Sequence, residues 1–122
     1  SEIKALKFQE GMPMLTHVRK RDVLLVRLEG ELDQCSASGI RRDIDALLQD
    51  PSVRHLVLDM ERMPFMDSSG IGVVLGRYRL LCLRGGSVAL MHLTPQVRRI
   101  YDLSGMAQII PVIEEKEAQG CN

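Results

Sequence analysis

The spacing of apolar residues switches repeatedly between the period of a strand and the period of a helix. Residues 14–19 (Met-Leu-Thr-His-Val-Arg) and 23–28 (Val-Leu-Leu-Val-Arg-Leu) are short apolar runs separated by the polar tip Lys20-Arg21-Asp22, a pattern that predicts a β-hairpin. After Gly30 and the segment Glu31-Leu32-Asp33-Gln34-Cys35-Ser36, residues Ala37, Ile40, Ile44, Leu47 and Leu48 fall on one helical face until Asp50-Pro51 interrupts them. This predicts an amphipathic helix with Ser36 as its N-cap. Residues 53–59 form another apolar run, bounded by Pro51 and by Met63-Pro64, with the length and composition of a buried strand. Helical spacing returns from Ser69, where Ile71, Val74, Leu75, Tyr78, Leu81 and Cys82 share a face and Gly85-Gly86 supplies the stop. Residues 87–92 predict a further strand. Thr94-Pro95 reads as an N-cap followed by proline at the first helical position, opening a helix through Val97, Ile100, Tyr101 and Leu103 that ends at Gly105. Residues 109–112 predict a last short strand, and residues 114–118 a last helical turn or two.

A hairpin followed by alternating helices and strands implies an α/β domain. Its sheet is expected to be mixed and mainly parallel, with four or five strands, one of them an antiparallel edge, and flanking helices. No internal repeat or long linker divides the chain, so one domain is expected over residues 13–118, with an N-terminal extension at 1–12 and a tail at 119–122. In open sheets of this kind, sites form where strands end and helices begin, because free amides and the helix dipole converge there. Residues 30–36 and 64–72 occupy such junctions.

Composition narrows the function. Lys plus Arg is 16 and Asp plus Glu is 16, which removes the basic footprint of a protein that neutralises many phosphates, so no nucleic-acid partner is expected. The three cysteines, Cys35, Cys82 and Cys121, are widely spaced without a Cys-x-x-Cys pair, a usage that suits a reducing cytosol and supplies no metal site. No stretch approaches the ~20 apolar residues needed to cross a bilayer, and Lys4 and Lys7 are not followed by the apolar run of a signal peptide. A cytoplasmic protein with no membrane partner is the expectation. A Gly-x-x-x-x-Gly-Lys loop is absent, and no cofactor is expected.

The segment Pro64-Phe65-Met66-Asp67-Ser68-Ser69-Gly70-Ile71-Gly72 runs from a strand into a helix, with Ser68 as the expected N-cap. A phosphate on that hydroxyl would meet free amides and the positive end of the dipole. It would add about −1.5 to −2 charges without breaking the helix. Gly70 and Gly72, taken as exposed on the first turn, would let another protein approach Ser68 closely. On residue types alone the same pattern is also satisfied by a serine that only caps and glycines that only pack.

The stretch from Phe65 to Tyr78, Phe-Met-Asp-Ser-Ser-Gly-Ile-Gly-Val-Val-Leu-Gly-Arg-Tyr, resembles the phosphorylation-site segment of the sporulation anti-sigma-F factor antagonists, within the STAS domain family. Gly30-Glu31-Leu32-Asp33, Val53-Arg54-His55-Leu56-Val57-Leu58 and Tyr101-Asp102-Leu103-Ser104-Gly105 match in order, so the resemblance spans residues 14–118. It implies a binding protein, not an enzyme. Ser68 would be the phosphoacceptor of an anti-sigma factor with serine kinase activity. In the unmodified state the protein would bind that partner and release a sporulation sigma factor, and a serine phosphatase would restore it after phosphorylation. Asp33, Asp67, Ser69, Gly70, Ile71 and Gly72 would form the partner-binding surface. The resemblance also admits a STAS scaffolding or interaction module of a stress-signalling complex or transporter.

Other chemistries fit less well. Asp59 stands where a receiver domain carries its phosphorylated aspartate, but the acidic pair after the first strand and the lysine after the last are missing. Ser68, His92 and an aspartate lack the Gly-x-Ser-x-Gly elbow of a hydrolase. Arg77, Arg79, Arg84, Arg98 and Arg99 read as solvated helix faces, Cys35 as a small filler, and Gly105 as a left-handed helix end.

Overall fold

The computed structural model describes residues 4–6 and 14–114. In chain order the elements are β1 (Lys4–Leu6), β2 (Met14–Lys20), β3 (Val23–Glu29), α1 (Ala37–Leu47), β4 (His55–Arg62), α2 (Ser68–Leu83), β5 (Ser87–Met91) and α3 (Pro95–Leu103), followed by a short 3-10 turn at Met106–Gln108. The five strands lie side by side in sequence order. The β1/β2 and β2/β3 pairs are antiparallel, and the β3/β4 and β4/β5 pairs are parallel. The sheet is therefore evenly mixed. The second antiparallel pairing comes from Lys4–Leu6, where the hydrophobic pattern predicted no element.

The hairpin forms as predicted, with Lys20 opposite Val23 and Arg21 in the left-handed region at φ 59°. Because the side-chain period of a strand is two, Leu24, Val26 and Leu28 of β3 and Leu56, Leu58 and Met60 of β4 all point to one face. They join Ile40, Ile44 and Leu48 from the first helical segment, Val73, Val74 and Leu81 from α2, and Val97 and Tyr101 from α3 in a single buried cluster. All three helices thus cover the same side of the sheet. The opposite side carries a small cluster of Val57 and Met91 with Val23, Leu25 and Ile113. Among the described residues no helix is long and apolar enough to cross a membrane.

Several boundaries and faces differ from the sequence expectation. The strand expected at 53–59 runs from His55 to Arg62, because pairing with β3 begins at His55 opposite Val23. Val53 is buried but belongs to the preceding turn, its amide bonded to the Asp50 carbonyl. Residues 109–112 form no strand; a single parallel bridge joins Val112 to Leu90. The buried Tyr101 hydroxyl donates to the Ile110 carbonyl at 2.6 Å and ties this segment down. Of the helical turn expected at 114–118 and the tail at 119–122, all but Glu114 lie outside the described residues.

The buried residues of α2 are Gly70, Val73, Val74, Arg77 and Leu81, while Ile71, Leu75 and Tyr78 pack partly against the core and Cys82 is exposed. A helix wedged against both a sheet and a second helix buries more than one stripe. Two arginines read as solvated are structural. Arg77 is 9 % exposed, with its Nε 2.9 Å from Asp45 Oδ1 on α1. Burial pulls its guanidinium below the usual range, and Asp45 pushes it back. Arg84 donates to the carbonyls of Leu48, Asp50 and Val53, which gives the negative end of α1 a cation and hydrogen-bond partners.

Asp43 on α1 is buried, with Oδ2 lacking a hydrogen-bond partner and Arg42 no nearer than 4.0 Å. Burial raises its carboxyl above the ordinary value of 3.8, with Arg42 opposing. The charged form is therefore disfavoured in the folded state. Its penalty is absent below the unfolded value, grows as pH rises past it, and is complete above the folded one. Asp43→Asn is expected to stabilise the protein by about 1 kcal/mol at pH 7 and by almost nothing at pH 3, as read from urea unfolding at the two pH values.

Candidate functional site at the strand-to-helix junctions

The loops that follow β3 and β4 are zipped together beyond the sheet. The chain turns at Gly30, where φ is 110°, and the Gly30 amide donates to the Arg62 carbonyl at 3.0 Å. Leu32 and Met66 then form an isolated parallel bridge, with Leu32 N–H donating to Phe65 O at 3.0 Å and Asp67 N–H to Leu32 O at 3.2 Å. Both side chains are buried. Asp33 and Asp67 each follow the bridged pair by one residue.

Asp67 caps α2, Asp33 holds the turn that leads into α1, and neither serine expected to cap does so. Asp33 Oδ1 accepts from the amides of Cys35 at 2.9 Å and Ser36 at 3.1 Å. Ser36 occupies the N-cap position of α1 in a helical conformation, and its side chain makes no capping bond. Its hydroxyl turns back to donate to Glu31 O at 2.9 Å and accept from Asp33 N–H at 3.0 Å. In α2 the N-cap is Asp67, extended at φ −111° and ψ −167°, with Oδ1 accepting from Ser69 N–H at 2.8 Å. A carboxylate there complements the helix dipole as well as one orphan amide. Ser68 is consequently the first helical residue. It is exposed, and its hydroxyl has no hydrogen bond among the described residues.

The remaining candidate residues divide between surface and interior. Ser69 is half-buried and lines a groove of about 330 Å³ between α1 and α2 with Gln34, Ala37, Ser38, Arg41, Gly72 and Val73. Gly72 is exposed, and a Cβ there would meet nothing within 4 Å. Gly70, expected on the surface, faces inward, where a Cβ would come within 2.4 Å of Met66 Cγ and 2.9 Å of Leu32 Cγ. Its place is to let α2 seat against the bridged loops. Ile71 is half-buried against the core. Phe65, which the candidate set omitted, is 38 % exposed three residues before Ser68. An aromatic next to a polar strand end was the available signal. Two residues of the α3 N-terminal region also reach the junction: Thr94 Oγ1 donates to Met63 O at 2.8 Å, and Gln96 bonds to Met66 through both ends of its amide. Thr94 thus stands at the N-cap of α3 without capping it.

The competing chemistries meet a different geometry. Asp59 is fully buried, its Oδ2 held by Arg27 Nε and Nη2 at 3.1 Å and its Oδ1 by His92 Nδ1 and Glu61 N–H at 3.0 Å. A receiver aspartate must instead face solvent and a phosphodonor. Glu61 Oε1 lies 3.8 Å from the same His92 nitrogen. Asp59, Glu61 and His92 are close enough to hold a cation, but the Asp59 oxygens already have their partners.

A family model for the STAS domain matches residues 15–119. The chain belongs to the STAS domain family. This STAS chain is 42 % identical over 96 residues to an anti-sigma F factor antagonist of Paenibacillus polymyxa, a match covering 79 % of this chain and 82 % of the relative. The antagonist of Lysinibacillus sphaericus is 35 % identical over 98 residues, covering 80 % and 84 %. Among solved structures, the STAS fold described above is similar to the anti-sigma factor antagonist SpoIIAA in its unphosphorylated form, with a TM-score of 0.74 and 34 % identity, over 85 % of this chain and 91 % of that one. The Bacillus cell fate determinant SpoIIAA in its phosphorylated form matches with a TM-score of 0.67 and 33 % identity, over 85 % and 95 %.

Proposed function

We propose that this STAS protein is an anti-anti-sigma factor of the cytoplasm, acting by binding and not by catalysis. Its unphosphorylated form binds an anti-sigma factor that is also a serine kinase and releases a sporulation sigma factor; phosphorylation of Ser68 switches it off, and a serine phosphatase resets it. The observation that carries the reading is that the α2 cap is supplied by Asp67, so the Ser68 hydroxyl is left exposed and without a structural partner. A residue that only caps would be engaged with the helix amides.

The electrostatics supports the same logic. A phosphoryl group would add about −1.5 to −2 charges to a surface that already holds Asp33 and Asp67. The N-terminal end of α2 tolerates that charge, so the domain stays folded. A partner that keeps nucleotide phosphates beside the dock is repelled by it across a contact from which water is excluded.

The test is to incubate the protein with purified anti-sigma F factor of Paenibacillus polymyxa and ATP, then locate the phosphate by mass spectrometry. One phosphate on Ser68 and none on Ser68→Ala is the expected result. Phosphate elsewhere, with Ser68→Ala accepting it as readily, would overturn the reading.

A further inference from the structure

The acceptor segment is held on two sides, and only one of them is backbone. In the bridge to Leu32, the groups engaged are the Phe65 carbonyl and the Asp67 amide. Alternation along an extended chain turns the Met66 amide and carbonyl the other way, to the side of β4 on which β5 lies. Among the described residues no strand pairs with Met66 on that side. Gln96 of α3 stands in place of one: its Oε1 accepts from Met66 N–H at 2.9 Å, and its Nε2 donates to Met66 O at 3.0 Å. The amide orientation follows from its partners, since a backbone N–H and a backbone C=O demand opposite ends of the side chain. Thr94 adds a second tie from the same helix start to Met63, three residues earlier.

We propose that Gln96 is a positioning residue for the switch: its carboxamide imitates a neighbouring strand and holds residues 65–67 in the extended conformation that presents Ser68 to the kinase. The inference rests on Ser68 being the acceptor. Few other residues could do this work. A carboxylate would face the Met66 carbonyl with like partial charge, a lysine could not accept, and the shorter asparagine would not span the gap. The consequence lies in pre-organisation. A partner that recognises one conformation of a loop binds more weakly in proportion to the fraction of time that the loop leaves it. Losing both bonds therefore raises the concentration of this protein that the kinase needs, and leaves the phosphoryl transfer step on docked protein nearly unchanged.

The variant is Gln96→Met, which keeps the side chain's length and removes both hydrogen bonds. With the anti-sigma F factor of Paenibacillus polymyxa and ATP, KM for the protein substrate is expected to rise about tenfold while kcat stays within about twofold. A purely structural role would lower the folded fraction, seen as a lower thermal midpoint, without that split per folded molecule. A second measurement needs no partner: amide hydrogen exchange of Met66 and Asp67 is expected to quicken about tenfold, with the amides of 73–81 unchanged. Exchange at Met66 and Asp67 as slow as in the wild type, or an unchanged KM, overturns the proposal for Gln96. Phosphorylation of Ser68→Ala at the wild-type rate overturns the reading of Ser68 instead, so the two failures are told apart.

Discussion

Ser68→Asp is expected to weaken binding to the nucleotide-bound anti-sigma F factor of Paenibacillus polymyxa at least about a hundredfold, an effect of roughly 2.7 kcal/mol. The protein's thermal midpoint is expected to move by less than about 2 °C. The stability half follows from the geometry and the binding half from the proposed function. The side chain is exposed at the first helical position, and the capping bond belongs to Asp67, so the substitution removes no structural contact. An acidic group in the first turn is also favoured by the helix dipole. On the proposed function, a new carboxylate would join Asp33 and Asp67 at the dock and meet a partner that retains nucleotide phosphates. Ser68→Ala, which adds no charge, is expected to bind within about threefold of the wild type, because only one solvent-exposed hydroxyl is lost. Isothermal calorimetry gives the affinities and a melting curve gives the midpoint. Wild-type affinity in Ser68→Asp would end the charge argument, and loss of folding would return the serine to a structural role.

The largest effect on stability is expected from Gly86→Ala, about 3 kcal/mol or more. A Cβ at this position would sit 1.6 Å from the Arg54 carbonyl oxygen and 2.6 Å from its carbon. Those atoms are backbone and cannot rotate aside. They are also engaged, since the same oxygen accepts from Ser87 N–H at 3.0 Å where β5 starts beside β4. Any shift that makes room loosens this pairing and the bond from Gly86 N–H to Leu81 O at 2.8 Å that ends α2. The neighbouring Gly85→Ala is expected to cost only about 1 kcal/mol, because its constraint is a φ of 76° and not a clash. Urea unfolding of the two variants separates the cases; equal losses would mean that backbone conformation, not approach of β4, governs both glycines.

That pair of glycines marks the limit of sequence reading. Gly85-Gly86 is legible as a helix stop, and so are the hairpin around Lys20-Arg21-Asp22, the proline that opens α3 and the left-handed end at Gly105. Each depends on the residue's own backbone preferences or on a period of two or nearly four, and these act within a few positions along the chain. The two strand-to-helix junctions were legible for the same reason, and with them the neighbourhood of Ser68. Tertiary structure decided the rest. That Asp67 caps α2 in place of Ser68, and that Asp33 holds the turn before α1 while Ser36 makes no capping bond, followed from contacts around the Leu32 to Met66 bridge. Gly70 turned inward, Arg77 and Arg84 became structural, and Gln96 took the place of a strand, through contacts with residues about thirty positions or more distant in sequence or on a neighbouring element. Local periodicity carries no information about such partners. A polar side chain's role is set by whichever donor or acceptor the fold brings within about 3 Å of it.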